Sequence, residues 1–346
     1  MKFIDLRSDT VTEQPIFMKE AMFNAEVGDD VYRDDPTVIK LEKLAAEIVG
    51  MESALFVPSG TFGNQLALFT HCKRGSEVII ADSNHIIAHE VGASSVIAGV
   101  QLRTIDAPNG VLNPNEIEKR IRFEDDDIHF PSTSLICVEN AHSSGNVLSI
   151  ENMKAVYDIA KKYNLPVHLD GARLFNASTA LNVDVKEITK YCDSVMFCLS
   201  KGLCSPVGSI LAGSKDFVDK ARKKRKLMGG GLRQAGFLAA AGIVSLEVMT
   251  KRLKEDHDNA KLLAEELNKI PEIDVDLHNL KINMVFFSFK DKNIDTKELV
   301  KYFLENNIKI NDVENGLMRF VTHYWVTKED VYKIVKTLKD FLSQNK

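Results

Sequence analysis

Between about residues 54 and 213 the chain alternates short, wholly apolar runs with longer stretches whose apolar positions recur every three or four residues. Seven of the runs read as strands: ALFVPS (54–59), EVIIAD (77–82), QLRTID (101–106), SLICVEN (134–140), PVHLDGA (166–172), SVMFCLS (194–200) and GSILAGS (208–214). Most are separated by helical patterns such as ENMKAVYDIAKKYN (151–164). Strands that are apolar throughout are covered on both faces. The pattern therefore predicts an α/β architecture, a mainly parallel seven-stranded sheet between layers of helix. In such sheets functional side chains gather beyond the carboxyl ends of the strands.

A glycine-rich break, MGGGLRQAG (228–236), precedes one long helical pattern over 239–269. The rhythm then changes to MVFFSF (284–289), DTKELVKYFLEN (295–306), IKINDV (308–313), MRFVTH (318–323) and EDVYKIVKTLKDFL (329–342). This β-α-β-β-α order predicts a smaller C-terminal α+β domain over 251–346. The large domain then covers 1–250, including an N-terminal segment over 1–25.

Composition narrows the function classes. The 346 residues carry 44 Lys plus Arg against 49 Asp plus Glu, a net charge of −5, so no overall basic surface invites nucleic acid. The one basic run, RKKRK from Arg222 to Lys226, reads as the solvated face of a helix. No apolar stretch approaches the ~20 residues needed to span a bilayer, and MKFIDLRSDT has no apolar core of a signal peptide. Five cysteines, odd in number and without a CxxC pair, argue against a disulfide framework or a zinc site and for a reducing cytoplasm.

Three segments carry candidate chemistry. Lys201 closes the strand SVMFCLS; a lysine there either snorkels to the surface or is a desolvated amine, a Schiff-base nucleophile. Asp170 closes the strand PVHLDGA, where a carboxylate either caps the next helix or serves a site. The two lie 31 residues apart, one βα unit, which brings both to the same edge of the sheet. In ALFVPSGTFGNQLALF a strand runs through Ser59-Gly60-Thr61 into a helix, a turn whose N–H groups can cradle a single phosphate or merely cap the helix. It matches neither a Walker motif nor G-x-G-x-x-G, which disfavours nucleotides.

These segments, in this order, resemble the L-threonine aldolases of the pyridoxal 5′-phosphate (PLP) enzymes with the aspartate-aminotransferase-like fold. Eight stretches carry the resemblance: DLRSDT (5–10), AEVGDDVY (25–32), FVPSGT (56–61), HEVGA (89–93), HLDGARLFNA (168–177), CLSKGL (198–203), GGGLRQAG (229–236) and RFVTH (319–323).

The resemblance implies PLP as a Schiff base on Lys201, with Asp170 against the pyridine nitrogen to keep the ring an electron acceptor. It implies phosphate contacts from Gly60, Thr61, Arg233 and Ser200, and a substrate carboxylate clamp of Arg173 and Arg319 helped by Ser8. Such a clamp fixes the torsion that selects Cα–Cβ cleavage. His85 is implied to stack on the ring, and His129 to lie near the substrate hydroxyl; either could be the base. His142 is assigned a structural role. Tyr32 is implied to reach a neighbouring subunit's site in a homo-oligomer, and no metal is implied.

Two departures stand out: Ala88 and His89 replace a frequent aromatic pair on the aldehyde side, and Arg33 replaces a frequently small residue. The expected activity is cleavage of L-threonine or L-allo-threonine, a β-hydroxy amino acid, to glycine and acetaldehyde. The rivals are another PLP lyase or aminotransferase and a PLP-free sugar or nucleotide binder.

Overall fold

The computed structural model of the protein describes residues 3–123 and 127–344. Twelve strands occur among them: β1 (Ile4–Asp5), β2 (Ser53–Val57), β3 (Glu77–Ala81), β4 (Gln101–Ile105), β5 (Thr133–Glu139), β6 (Val167–Asp170), β7 (Ser194–Cys198), β8 (Ser209–Gly213), β9 (Ile273–Val275), β10 (Met284–Phe289), β11 (Ile308–Lys309) and β12 (Met318–Val321). The seven apolar runs form one sheet in the order β2-β8-β7-β6-β5-β3-β4. Only β8 runs against its neighbours, so the mainly parallel sheet expected from the sequence is present.

Both faces of the sheet are buried over its inner strands, which therefore lack polar alternation, while the edge strand β4 is exposed at Gln101 and Thr104. Ile79, Val138, Leu169 and Phe197 point into a core with Leu41, Met153 and Leu246. Their neighbours Val57, Met196 and Leu211 face the other way, against Leu66 and Phe217. Helix ends follow local chemistry. Asp35 caps the helix Pro36–Val49 with hydrogen bonds from the Thr37 and Val38 amides, Pro36 occupies its first turn, and Gly50 ends it at φ 67°.

The C-terminal part has its own core under a three-stranded antiparallel sheet, β12-β10-β9, packed with the helices Leu253–Leu267 and Lys328–Gln344. Three features depart from the sequence pattern. The long helical stretch breaks at a 3-10 turn, Met249–Arg252, where the chain leaves one core for the other. The IDV strand β9 is too short to register as a pattern. The IKINDV strand contributes only β11, which pairs in parallel with β1. The N-terminal segment divides accordingly: Ile4 and Leu6 pack into the C-terminal core, Met18 into the large one.

The basic run lies on the helix Lys215–Leu227, but it is not wholly solvated. Arg222 and Arg225, three residues apart, turn inward to Glu42 (2.7 Å) and Asp30 (2.8 Å). No helix among the described residues is long and apolar enough to cross a membrane.

Candidate active site

The sheet delivers its chemistry to one edge. β6 and β7 are parallel neighbours with Asp170 opposite Met196, so Asp170 and the Ser200-Lys201 segment emerge from adjacent carboxyl ends. The helix Gly60–His71 starts at the same edge, its end capped by Ser59 Oγ, which accepts from the Phe62 amide at 3.1 Å. Glycine is needed there: a Cβ on Gly60 would stand 2.8 Å from Cys198 Sγ, and one on Gly63 2.6 Å from Met196 Cγ. Their absence lets the helix N-terminus close onto β7. The resulting cavity, about 120 Å³, is lined among others by Gly60, Thr61, His85, Asp170, Ser200 and Lys201. Two larger hollows, about 390 and 430 Å³, flank Arg33 on the surface, where Arg222 and Arg225 are already ion-paired; they gather no comparable chemistry.

Around the cavity, buried polar groups form a directed network. Asn64 Nδ2 donates to Asp170 Oδ2 (2.7 Å) and to Glu90 Oε1 (2.9 Å). Both of its hydrogens are thereby used, so its Oδ1 must accept, from His168 Nε2 at 3.2 Å. His168 Nδ1 then accepts from Ser194 Oγ (2.9 Å), which accepts in turn from His71 Nε2 (2.8 Å). Burial holds both histidines neutral, His168 pushed down to about 3 and His71 to about 4. Every donor in this chain points toward the carboxylates.

Those carboxylates are crowded. Burial raises Asp170 above its ordinary range, and the neighbouring Glu90 raises it further; His85 and Lys201 oppose this. Glu139, buried beside Asp170, is pushed up to about 7 despite accepting the His85 and Ser143 amides at 2.7 and 2.8 Å. His85 is shifted upward, the Glu90 hydrogen bond outweighing burial. Three buried acids thus surround one histidine and one lysine, an arrangement that favours a further cation against Asp170.

Arg173 and Arg319 form a second centre. Arg173, its side chain 10% exposed, grips Asp9 with two bonds, Nε to Oδ2 at 2.8 Å and Nη2 to Oδ1 at 2.6 Å. Burial would raise the Asp9 carboxyl, yet Arg173 overcomes it and holds that group well below the usual range. Arg319 makes no ion pair among the described residues; it donates to the Arg7 carbonyl at 3.2 Å, and burial together with nearby Arg173 depresses its pKa. Ser8 stands beside them, capping the Asp9–Val11 turn and 3.4 Å from Asp9 Oδ1. Thr12 ties this turn to the lysine loop, its Oγ1 lying 2.8 Å from the Lys201 carbonyl.

The remaining residues implied by the resemblance lie outside the cavity. His129 sits on an exposed turn, its amide bound to Asp127 at 2.8 Å. Arg233 is half-exposed and ion-paired with Asp29 at 2.9 Å. Tyr32 is 77% exposed. His89 is exposed, its ring 5.4 Å from that of His85. His142 is buried between Ser83 and Ser144, and burial lowers it to about 4. Asn64, Glu90, Glu139, His168 and Asp9 were not singled out from sequence. The available signal was modest: Asn64 and Gln65 are two polar residues inside an otherwise apolar helix, and Asp9 and Glu90 lie within DLRSDT and HEVGA.

The beta-eliminating lyase family model matches residues 5–290. The chain is 45% identical to low-specificity L-threonine aldolase 1 of Arabidopsis thaliana, covering 96% of this chain and 94% of that one. It is 44% identical to the low specificity L-threonine aldolase of Escherichia coli K12, covering 99% and 100%. Among solved structures, a threonine aldolase of Leishmania major superposes with a TM-score of 0.83 at 19% identity, covering 97% of this chain and 99% of that one. A putative L-allo-threonine aldolase of Listeria monocytogenes gives 0.80 at 22%, covering 98% and 96%. Those two likenesses carry the fold; the sequence relatives carry the family. This chain belongs to the beta-eliminating lyase family and, within it, to the low-specificity L-threonine aldolases.

Proposed function

We propose that this protein is a PLP-dependent aldolase that cleaves L-threonine and L-allo-threonine to glycine and acetaldehyde. The observation that carries the reading is convergence: Lys201, Asp170, His85 and the Gly60-Thr61 helix terminus line a single cavity in a chain of this family. The residues fit the cofactor. Gly60 lets the helix terminus close onto β7 so that Gly60 and Thr61 line the cavity, and a protonated ring nitrogen would supply the cation that the crowded acids around Asp170 favour. Bound there, PLP would act as the sink for the electron pair released from Cα–Cβ.

This chain's own groups supply the rest. Lys201 offers the amine that carries the cofactor. Gly60 and Thr61 amides at the helix terminus, with the Thr61 and Ser200 hydroxyls, would hold the phosphate. Arg173 is held by Asp9, while Arg319 makes no ion pair among the described residues and is left to meet the substrate carboxylate. That clamp orients the bond to be cleaved. His85 lies on the cavity wall, placed to take the proton of the β-hydroxyl.

The reading includes a homo-oligomer, in which Tyr32, with exposed apolar side chains such as Phe23 and Leu227, meets a neighbouring protomer; Arg233 and His129, also outside the cavity, are exposed as well. A cytoplasmic setting agrees with five free, buried cysteines. The test is product analysis with both threonine diastereomers. Glycine with acetaldehyde is expected; a keto acid with ammonia and no glycine would assign the chain to another lyase or aminotransferase chemistry.

A further inference from the structure

The aldolase reading leaves open which atom of which residue takes the β-hydroxyl proton, and the buried groups behind His85 narrow the choice. Glu90 is fully buried. Its carboxyl group accepts two amide donors, Asn64 at 2.9 Å on Oε1 and Gln65 at 2.6 Å on Oε2, and His85 Nδ1 lies 2.9 Å from Oε1. With both oxygens already accepting amide N–H groups, the carboxyl group faces His85 as a hydrogen-bond acceptor. The nitrogen of His85 that faces it is then an N–H, and the imidazole's other nitrogen, Nε2, is left with the lone pair. Glu139 fixes the same residue from its backbone, accepting the His85 amide at 2.7 Å. The Asn64 amide ties Glu90 to Asp170, so the acid behind the base and the acid at the cavity floor share one rigid hub.

We infer that Glu90 is a positioning residue for the cleavage step, holding the proton of His85 on Nδ1 so that Nε2 accepts the proton of the substrate's β-hydroxyl. The inference rests on the aldolase reading above. In that step the O–H bond breaks and an N–H bond forms at Nε2. The O–H electron pair becomes the carbonyl π bond of the departing aldehyde. The Cα–Cβ pair stays on Cα, where the cofactor, when bound, would delocalise it. The imidazolium so formed sits 2.9 Å from the Glu90 carboxylate, which stabilises the charge as it develops.

The groups facing His85 are Glu90, Asp170, Glu139, Lys201 and the neighbouring ring of His89. Glu90 makes the contact that raises the basicity of His85 most. Activity that depends on neutral His85 falls as pH drops through its pKa, and removing the Glu90 charge lowers that pKa. In Glu90→Gln the acidic limb of kcat/KM therefore moves to lower pH, by about one unit, while the plateau falls about 10–10²-fold, since the base is weaker and less well oriented.

The experiment compares PLP-loaded wild type and Glu90→Gln in two ways. One is the pH profile with L-threonine. The other is the His85 pKa from imidazole C2 deuterium exchange read by peptide mass spectrometry, which needs no turnover. Parallel downward shifts in both support the role. A His85 pKa that stays within about 0.3 unit of wild type overturns it, whatever happens to the rate. If wild type cleaves neither diastereomer, the aldolase reading fails, while the exchange measurement still decides the Glu90–His85 link. Should the variant not fold, the wild-type ¹⁵N-histidine spectrum decides, with His85 assigned through His85→Asn: a proton on Nδ1 supports the inference and one on Nε2 overturns it.

Discussion

Replacing Asp9 with asparagine removes a charge from the least exposed ion pair of the candidate site while changing almost no volume. Asp9 is fully buried, and both its oxygens are taken by Arg173, at 2.6 and 2.8 Å. An asparagine can offer one oxygen to that fork; its amide then meets the second guanidinium N–H as a donor facing a donor. Loss of one charge-assisted hydrogen bond costs about 1.5–3 kcal/mol. Full loss of the partner, as in Asp9→Ala, leaves a buried unpaired charge and costs about 3–5 kcal/mol. With a urea slope near about 3 kcal/mol per molar, Asp9→Asn should unfold about 0.5–1 M earlier than wild type at neutral pH.

The pH dependence has a defined sign. The Asp9 carboxyl is depressed in the folded chain, so its contribution is complete above the unfolded carboxylate pKa of 3.8 and is lost as pH falls below it. The gap between wild type and variant should therefore hold from pH 7 to about 5 and narrow on further acidification. The assay is a urea midpoint at fixed protein concentration across that range. A variant within about 0.2 M of wild type at pH 7, or a gap that widens toward acid, would show that the Asp9–Arg173 pair does not stabilise the fold in this way.

Two further substitutions probe the two ends of the site. Gly60→Ala places a methyl 2.8 Å from Cys198 Sγ, so it should cost about 1–3 kcal/mol of stability and weaken PLP binding at least about tenfold by absorbance titration. Adding Cys198→Ala should recover part of both losses, and independent, additive effects would speak against a steric cause. Arg319→Leu removes the clamp cation that has no ion-pair partner among the described residues; KM for threonine should rise about 10–10²-fold with PLP binding unchanged, and an unaltered KM would remove Arg319 from the clamp.

Much of the scaffold is legible along the chain because a sheet buried on both faces writes itself as uninterrupted apolar runs. All seven runs became strands of the large sheet. Asp170 and Lys201 were recognisable because one closes such a run and the other directly follows one, which places both at carboxyl ends. The C-terminal half was harder. β11 spans two residues and pairs with β1, a partner some 304 positions away that no local periodicity encodes. The residues that tune the site were hidden for a related reason. Asn64 meets Asp170 across 106 positions and Asp9 meets Arg173 across 164. In the sequence each is an ordinary helix or turn residue, and its burial becomes visible only when the strands bring the segments together.

Reduction of the PLP-loaded protein with borohydride, followed by peptide mapping, shows whether Lys201 carries the cofactor. The expected result is a yellow protein whose cofactor becomes fixed to the peptide containing Lys201. A Lys201→Ala variant should show no such adduct and lose at least about 10³-fold in threonine cleavage. An adduct on a different lysine, or cleavage that survives in Lys201→Ala at a comparable rate, would rule out Lys201 as the Schiff-base residue.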